Sequence, residues 1–251
     1  MPVDSVASFS ILALFESAGL TKATAFYLLS GVGVTLLLVV LAMSLGLVFG
    51  SILAAFQVYG PPWTGRLVSI YVWFFRGVPI LVLMFLFHFG LSGHLETAVL
   101  FLFDYRLRVP PFASAVMVLA FCTTAYQSQI FRGGIEAIAA GQFKAAQALG
   151  MGRAQAVWTI ILPQTWRISI PAWSNEYSIL LKDSAIAFVL GVMDVMARVK
   201  AVSSTNHRPL LMFIIAGIIY YLLTWVGVKL LLKLYHKIRI PGLAEADGSH
   251  F

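Results

Sequence analysis

The sequence predicts an all-α, polytopic membrane protein with five transmembrane helices. Composition is the first reason: hydrophobic residues make up 60% and charged residues 11% of the 251 residues. Mean hydropathy is +0.91, whereas soluble domains carry roughly 25% charged residues. A soluble chain of this length has no means of hiding that much apolar side chain. Charge-free runs are the second reason, because a helix needs about 20 apolar residues to cross the hydrocarbon core. The third is what is missing: there are no internal repeats, low-complexity tracts or domain-sized polar inserts. Residues 1–251 therefore read as one membrane domain, with its core at about 25–235.

The spans follow in order. No charge interrupts Ala23 to Gly65, which holds one long helix and a Pro61-Pro62-Trp63 turn. Leu67 to Gly90 contains Arg76 as its single charge, with Gly77 and Pro79 placed to bend or loosen the helix. Val109 to Phe131 and Pro209 to Val228 are uninterrupted. Ile168 to Val195 is long enough to span but carries Glu176, Lys182, Asp183 and Asp194. Ahead of these, Asp4 and Glu16 argue against a signal peptide, and Ile11 to Phe15 is too short for its apolar region. That segment reads instead as a short surface helix.

Charge and cysteine usage exclude several function classes. With five spans the two ends lie on opposite sides. An outside amino terminus puts Arg66, Arg132, Lys144, Arg153, Arg167, Lys233, Lys237 and Arg239 inside, against Lys22, Arg106, Arg108, Arg198, Lys200 and Arg208 outside. The net charge of +7 thus reads as membrane flanking, a weak positive-inside bias, and not as a nucleic-acid surface. Cys122 lies in the third span as a small packing residue. His88, His94, His207, His236 and His250 are scattered, so no metal site is expected. No nucleophile–base–orienter set or Gly-rich phosphate loop occurs, which argues against catalysis or nucleotide binding in this chain.

Two polar regions stand out from this background. Gly141 to Gly150 has the composition of a short helix, with Gly150 suited to the left-handed residue at its exit. Small residues Ala145, Ala146 and Ala148 suit close approach by a partner surface, which so short a helix needs. A second run, Arg153 to Leu162, is expected to stop at Pro163, and Gly133-Gly134 to permit a sharp exit from the third span. In the fourth span, positions seven apart fall on nearly one stripe. Asn175 and Lys182 share one stripe; Glu176 and Asp183 share the next, roughly 10 Å apart. Such a wedge marks a bundle interior or water-filled path. It is open to three readings: substrate contact through Asn175, Glu176, Lys182, Asp183 and Ser184; ion pairs that gate a pathway; or a fixed network between helices. Asp183 and Ser184 also suit the start of a new helical segment.

The run Lys144-Ala145-Ala146, Gly150, Ile160-x-Leu162-Pro163 resembles the E-A-A…G…I-x-L-P loop of ABC importer permeases, with Lys144 in place of the family's Glu. Ala125-Tyr126…Gln129-Ile130-x-Arg132-Gly133-Gly134-Ile135 is similar to a segment of the polar amino acid permeases, with Gln129 where Glu is usual. Arg76-Gly77-Val78-Pro79-Ile80 and Asn175-Glu176…Leu181-Lys182-Asp183-Ser184 resemble two further segments of that family, whose members include histidine, glutamate, arginine and opine permeases. The resemblance implies a type I importer permease fold with a short cytoplasmic coupling helix, in a loop of about 136–166, at the inner membrane. It implies that Lys144, Ala145, Ala146, Gly150, Ile160, Leu162 and Pro163 form the contact to the ATPase, and that Arg76 serves as a gate or an anchor. It further implies two separate ATP-binding subunits that use ATP and Mg, a second copy or sister permease, an external solute-binding protein, and a polar amino acid substrate within membrane lipid. This chain would itself bind no cofactor. The rival reading is an ion-coupled secondary transporter with Glu176 and Asp183 as the cation site; that class has inverted repeats and needs no docking arm.

Overall fold

A computed structural model describes residues 21–91, 93–94, 109–138 and 140–238. The amino-terminal surface helix, Arg106, Arg108, Arg239 and His250 fall outside the described residues.

Helix α1 (Lys22–Tyr59) starts where the Thr21 side chain accepts the Thr24 N–H at 3.2 Å. Its 38 residues make it about 57 Å long at 1.5 Å per residue. It stops at Gly60-Pro61, where the Thr64 hydroxyl donates to the Phe56 and Pro61 carbonyls. Helix α2 (Pro62–Gly77) opens with proline, which lacks the N–H a first turn has no use for.

Helix α3 (Ile80–Phe85) continues into a wide turn at Leu86–Leu91, and α2 meets it at 102°. The break falls at Gly77-Val78-Pro79 as the sequence leads one to expect. Val78, preceding a proline, is extended (φ −91°, ψ 130°), which no helix can continue. α1 and the last helix are each long and apolar enough to cross a membrane, and the bent pair together makes a third.

Helix α4 (Pro111–Ala137) runs along α1. In lipid there is little hydrophobic drive between helices, so close backbone approach and buried polar contacts hold them together. Gly46 and Gly50 provide that approach: a Cβ on Gly46 would run into Gln127 Nε2, and one on Gly50 would meet Gln127 Cβ at 3.0 Å. Helix α5 (Ala140–Ala148), the single turn α6 (Arg153–Ala156) and a wide turn (Val157–Ile161) lead into α7 (Leu162–Ser184). A tight helical stretch, Ala185–Leu190, ends at left-handed Gly191, and then come α8 (Val195–Asn206) and α9 (Pro209–Ile238). Leu38, Val39 and Ala42 of α1, Val118 and Leu119 of α4, and Leu180 and Leu181 of α7 form the main core.

Three local expectations are corrected. Pro163 does not stop a helix; it lies in the first turn of α7, where its missing N–H costs nothing. α4 continues through Gly133 and Gly134 to Ala137. Gly134 instead lets α4 touch α7, since a Cβ there would lie 2.5 Å from Ser169 Oγ. A tight helical stretch does begin after Ser184, but not through a side-chain cap: the Ser184 hydroxyl turns back to donate to the Leu181 carbonyl at 2.7 Å. The cap is Asp194, whose Oδ1 accepts the Ala197 N–H at 2.8 Å and starts α8.

Candidate functional site: a projecting arm and a polar seam

The arm is built from local sequence. At its exit Gly150 takes φ +83°. Its N–H donates to the Gln147 carbonyl at 2.9 Å and that of Met151 to the Ala146 carbonyl at 3.1 Å. This pair of reversed bonds is the Schellman arrangement that satisfies the last carbonyls of a helix. One face of α5 anchors the arm. Phe143 stacks on Tyr59 at 4.7 Å, and Gln164 Nε2 donates to Gln142 Oε1 at 2.7 Å. Ala146 is buried within the chain, so it is not part of the open surface the sequence suggested. That surface consists of Lys144, Ala145, Gln147, Ala148 and Leu149, the last 80% exposed.

Leu162 is fully buried and Ile160 packs beside it, in a cluster with Ala54, Phe131 and Ile135. They hold the return of the arm against α1 and α4, and Pro163 lies in the first turn of α7. The sequence landmarks therefore divide between two tasks, an anchor and an exposed face.

The polar seam lies between α4 and α7. Glu176 is 3% exposed, and Thr123 Oγ1 donates to its Oε1 at 2.7 Å. Behind Thr123, Gln127 Nε2 donates to Thr123 Oγ1 at 3.1 Å and to the Met43 carbonyl at 3.3 Å. Trp173 Nε1 in turn donates to Gln127 Oε1 at 2.8 Å. The bonds from Trp173 through Gln127 and Thr123 run toward Glu176, whose Oε1 is the terminal acceptor, while Gln127 also donates to the Met43 carbonyl. Burial without such partners would cost several kcal/mol.

The predicted wedge divides as its two stripes require. Asn175 and Lys182 are exposed on the outer face of α7, Glu176 and Ser184 are buried, and Asp183 is half-buried. The structure does not join Glu176, Lys182 and Asp183 into ion pairs. Among the described residues the ion pair seen is Arg132 Nε to Glu136 Oε1 at 2.9 Å, on the surface of α4. Arg76 lies with its Cζ 4.8 Å above the Tyr126 ring, within electrostatic reach of Glu176 but not in contact with it. Sequence reasoning did not single out Thr123 or Gln127 as partners of Glu176. The available signal was the polar run Thr123-Thr124…Tyr126-Gln127 inside an otherwise charge-free span.

A chain with this helical layout and these polar positions has close counterparts. Residues 46–239 match the family described as binding-protein-dependent transport system inner membrane component. The chain belongs to this family.

The permease is 33% identical to the octopine transport system permease protein OccM of Rhizobium radiobacter over 203 residues, 81% of this chain and 82% of that protein. It is 34% identical to the probable amino-acid permease protein YxeN of Bacillus subtilis strain 168, covering 78% and 84%. With the arginine ABC transporter permease protein ArtQ of Haemophilus influenzae it shares 31%, covering 78% and 87%. Among solved structures, an amino acid ABC transporter crystallised with histidines superposes at TM-score 0.71 with 29% identity, covering 95% of this chain and all of the other. An inward-facing MetNI methionine ABC transporter, at 17% identity and TM-score 0.59, shares the fold. The permease is the membrane-spanning component of an ATP-driven ABC importer.

Proposed function

We propose that this permease carries polar amino acids or related compounds across the inner membrane as one half of a paired transmembrane pathway. The names of its relatives, which cover octopine, arginine and amino-acid transport, support that substrate class. The chain crosses the membrane five times, with its amino terminus outside and its carboxyl terminus in the cytoplasm. It forms a single domain over residues 1–251. A second copy or a sister permease completes the pathway, because one bundle leaves Asn175 and Lys182 facing outward. An external binding protein delivers the substrate.

The observation that carries this reading is the arm: a short helix anchored on one face, closed by Gly150, and presenting Lys144, Ala145 and Leu149 outward. Two ATP-binding subunits, which hold ATP and Mg, dock on the paired arms. Their closure draws the arms together and reopens the pathway to the outside. Arg76 and the α7 residues Asn175, Glu176, Lys182, Asp183 and Ser184 lie along the route. Glu176, fixed as an acceptor by Thr123, receives the substrate ammonium, and Lys182 its α-carboxylate.

Glu176→Gln separates charge from packing, because the amide oxygen still accepts the Thr123 hydroxyl. Uptake into proteoliposomes loaded with ATP should fall roughly 10- to 100-fold, the equivalent of a charge-assisted hydrogen bond, while the ATPase remains bound. Normal uptake by that variant contradicts the role of Glu176. Uptake by the wild type that ignores ATP contradicts the importer reading.

A further inference from the structure

Arg76 closes α2 at its break and opens onto a cavity of about 460 Å³ shared by α1, α2 and α4. Gln57, Ser69, Trp73, Tyr126 and Gln129 line it with Arg76, and no acidic side chain does. Arg76 stands in the last turn of α2, where the helix end favours a cation, and its side chain is exposed at the cavity. Among the described residues no carboxylate pairs with Arg76, and its guanidinium rests over the Tyr126 ring at 4.8 Å.

The hydrogen-bond inventory of the lining favours donors, with Gln129 Oε1 as an amide acceptor among them. Both protons of Gln129 Nε2 are spent, on Gln57 Oε1 at 2.9 Å and on Ser128 Oγ at 3.1 Å. That bond uses the oxygen of Gln57 and leaves its NH2 group without a partner among the described residues. The Tyr126 hydroxyl and the Arg76 guanidinium are likewise without a hydrogen-bond partner among the described residues. The cavity thus offers one cation and two neutral donors. An adjoining cavity of about 530 Å³ shares Gln57 and Ser69 and adds Arg66 and Arg132, of which Arg132 is paired with Glu136. A concave surface of one sign concentrates the opposite charge.

We infer that the Arg76–Gln57–Tyr126 cavity binds a carboxylate of the transported solute, so that this permease favours amino acids carrying a carboxylate beyond the α-carboxylate. The inference rests on the amino acid importer reading. A guanidinium forks onto both oxygens of a carboxylate, and the Gln57 amide and Tyr126 hydroxyl supply further donors. The isosteric carboxamide offers a single acceptor oxygen and turns its NH2 group toward the cation. The cavity therefore discriminates between two groups of the same shape.

The test uses the purified permease–ATPase complex in nanodiscs, without the binding protein, so that the permease's own preference is read. Equilibrium binding of radiolabelled glutamate, glutamine, aspartate, asparagine and arginine is compared. Wild type should hold glutamate and aspartate about tenfold or more tighter than their amides. Arg76→Gln should erase that preference in complexes that assemble normally by size exclusion, and Arg76→Lys should restore part of it. Equal binding of acid and amide by the wild type, or a preference that survives Arg76→Gln, overturns the inference and leaves the importer reading standing. Failure of the wild type to bind any of the five overturns the inference, whereas the importer reading falls only with uptake that ignores ATP. Loss of co-purifying phosphatidylglycerol on Arg76→Gln, without any acid-over-amide preference in the wild type, identifies a lipid phosphate as the occupant and also overturns it.

Discussion

Replacing Gly150 by alanine isolates the backbone contribution to the arm. A Cβ at Gly150 has nothing within 4 Å, so no clash enters, but φ is +83°. An L-residue held in the left-handed region costs roughly 1–2 kcal/mol. The strain falls on the residue whose N–H, together with that of Met151, closes α5 onto the Gln147 and Ala146 carbonyls. Gly152, two residues on, is the matched control. A Cβ there is equally unobstructed, and its φ is −64°. Gly152→Ala should be neutral or stabilise by about 0.4–1 kcal/mol through the unfolded chain. Gly150→Asn should cost less than Gly150→Ala, because asparagine tolerates this region. The assay is amide hydrogen exchange over residues 141–151 of the detergent-purified protein. Gly150→Ala should speed local exchange about 5- to 30-fold, the equivalent of 1–2 kcal/mol of local opening. Equal effects from Gly150→Ala and Gly152→Ala, or none from Gly150→Ala, would refute the capping argument.

Other predictions concern the bundle and the seam. Gly46→Ala drives a methyl against Gln127 and Thr123, whereas Gly33 has open space around its Cβ position. The first should cost about 1–3 kcal/mol of thermal stability, and Gly33→Ala should leave the melting temperature unchanged or raise it. Thr123→Val removes the donor to Glu176 and the acceptor for Gln127. It should destabilise by about 1–3 kcal/mol and reduce uptake, and Thr123→Ser should recover both in a combined melting and proteoliposome measurement. Asp194→Ala removes the cap of α8 and should cost about 0.5–2 kcal/mol. A melting temperature equal to that of the wild type would show that Asp194 does not hold that helix end.

What the sequence discloses depends on how local the cause is. Gly150 as a helix exit follows from one glycine after a run of helix formers, and the structure places it at φ +83°. The 102° bend follows from Gly77 and Pro79 alone. The two stripes of α7 follow from helical periodicity, but which stripe turns inward depends on Thr123 and Gln127 of α4, more than forty residues away in sequence. Pro163 shows the ambiguity of proline, which ends one helix and begins another on the same physical ground. The wide turn at Val157–Ile161 that carries the chain past it has no local signature. Gly134 reads as a hinge in one dimension and as a point of close approach to Ser169 in three. Gly46 and Gly50, which the sequence reading passed over, are where α1 receives Gln127.

The central claim is that the exposed face of α5 couples this permease to a separate ATPase. It is tested most directly by purifying the tagged chain in mild detergent with its co-expressed partners and identifying everything that elutes with it by mass. The account predicts an ATPase in stoichiometric amount, lost when Ala145→Trp and Leu149→Glu alter the outward face and retained in Gly152→Ala. A chain that purifies without any ATPase, yet moves amino acids into proteoliposomes under an ion gradient alone, would contradict it.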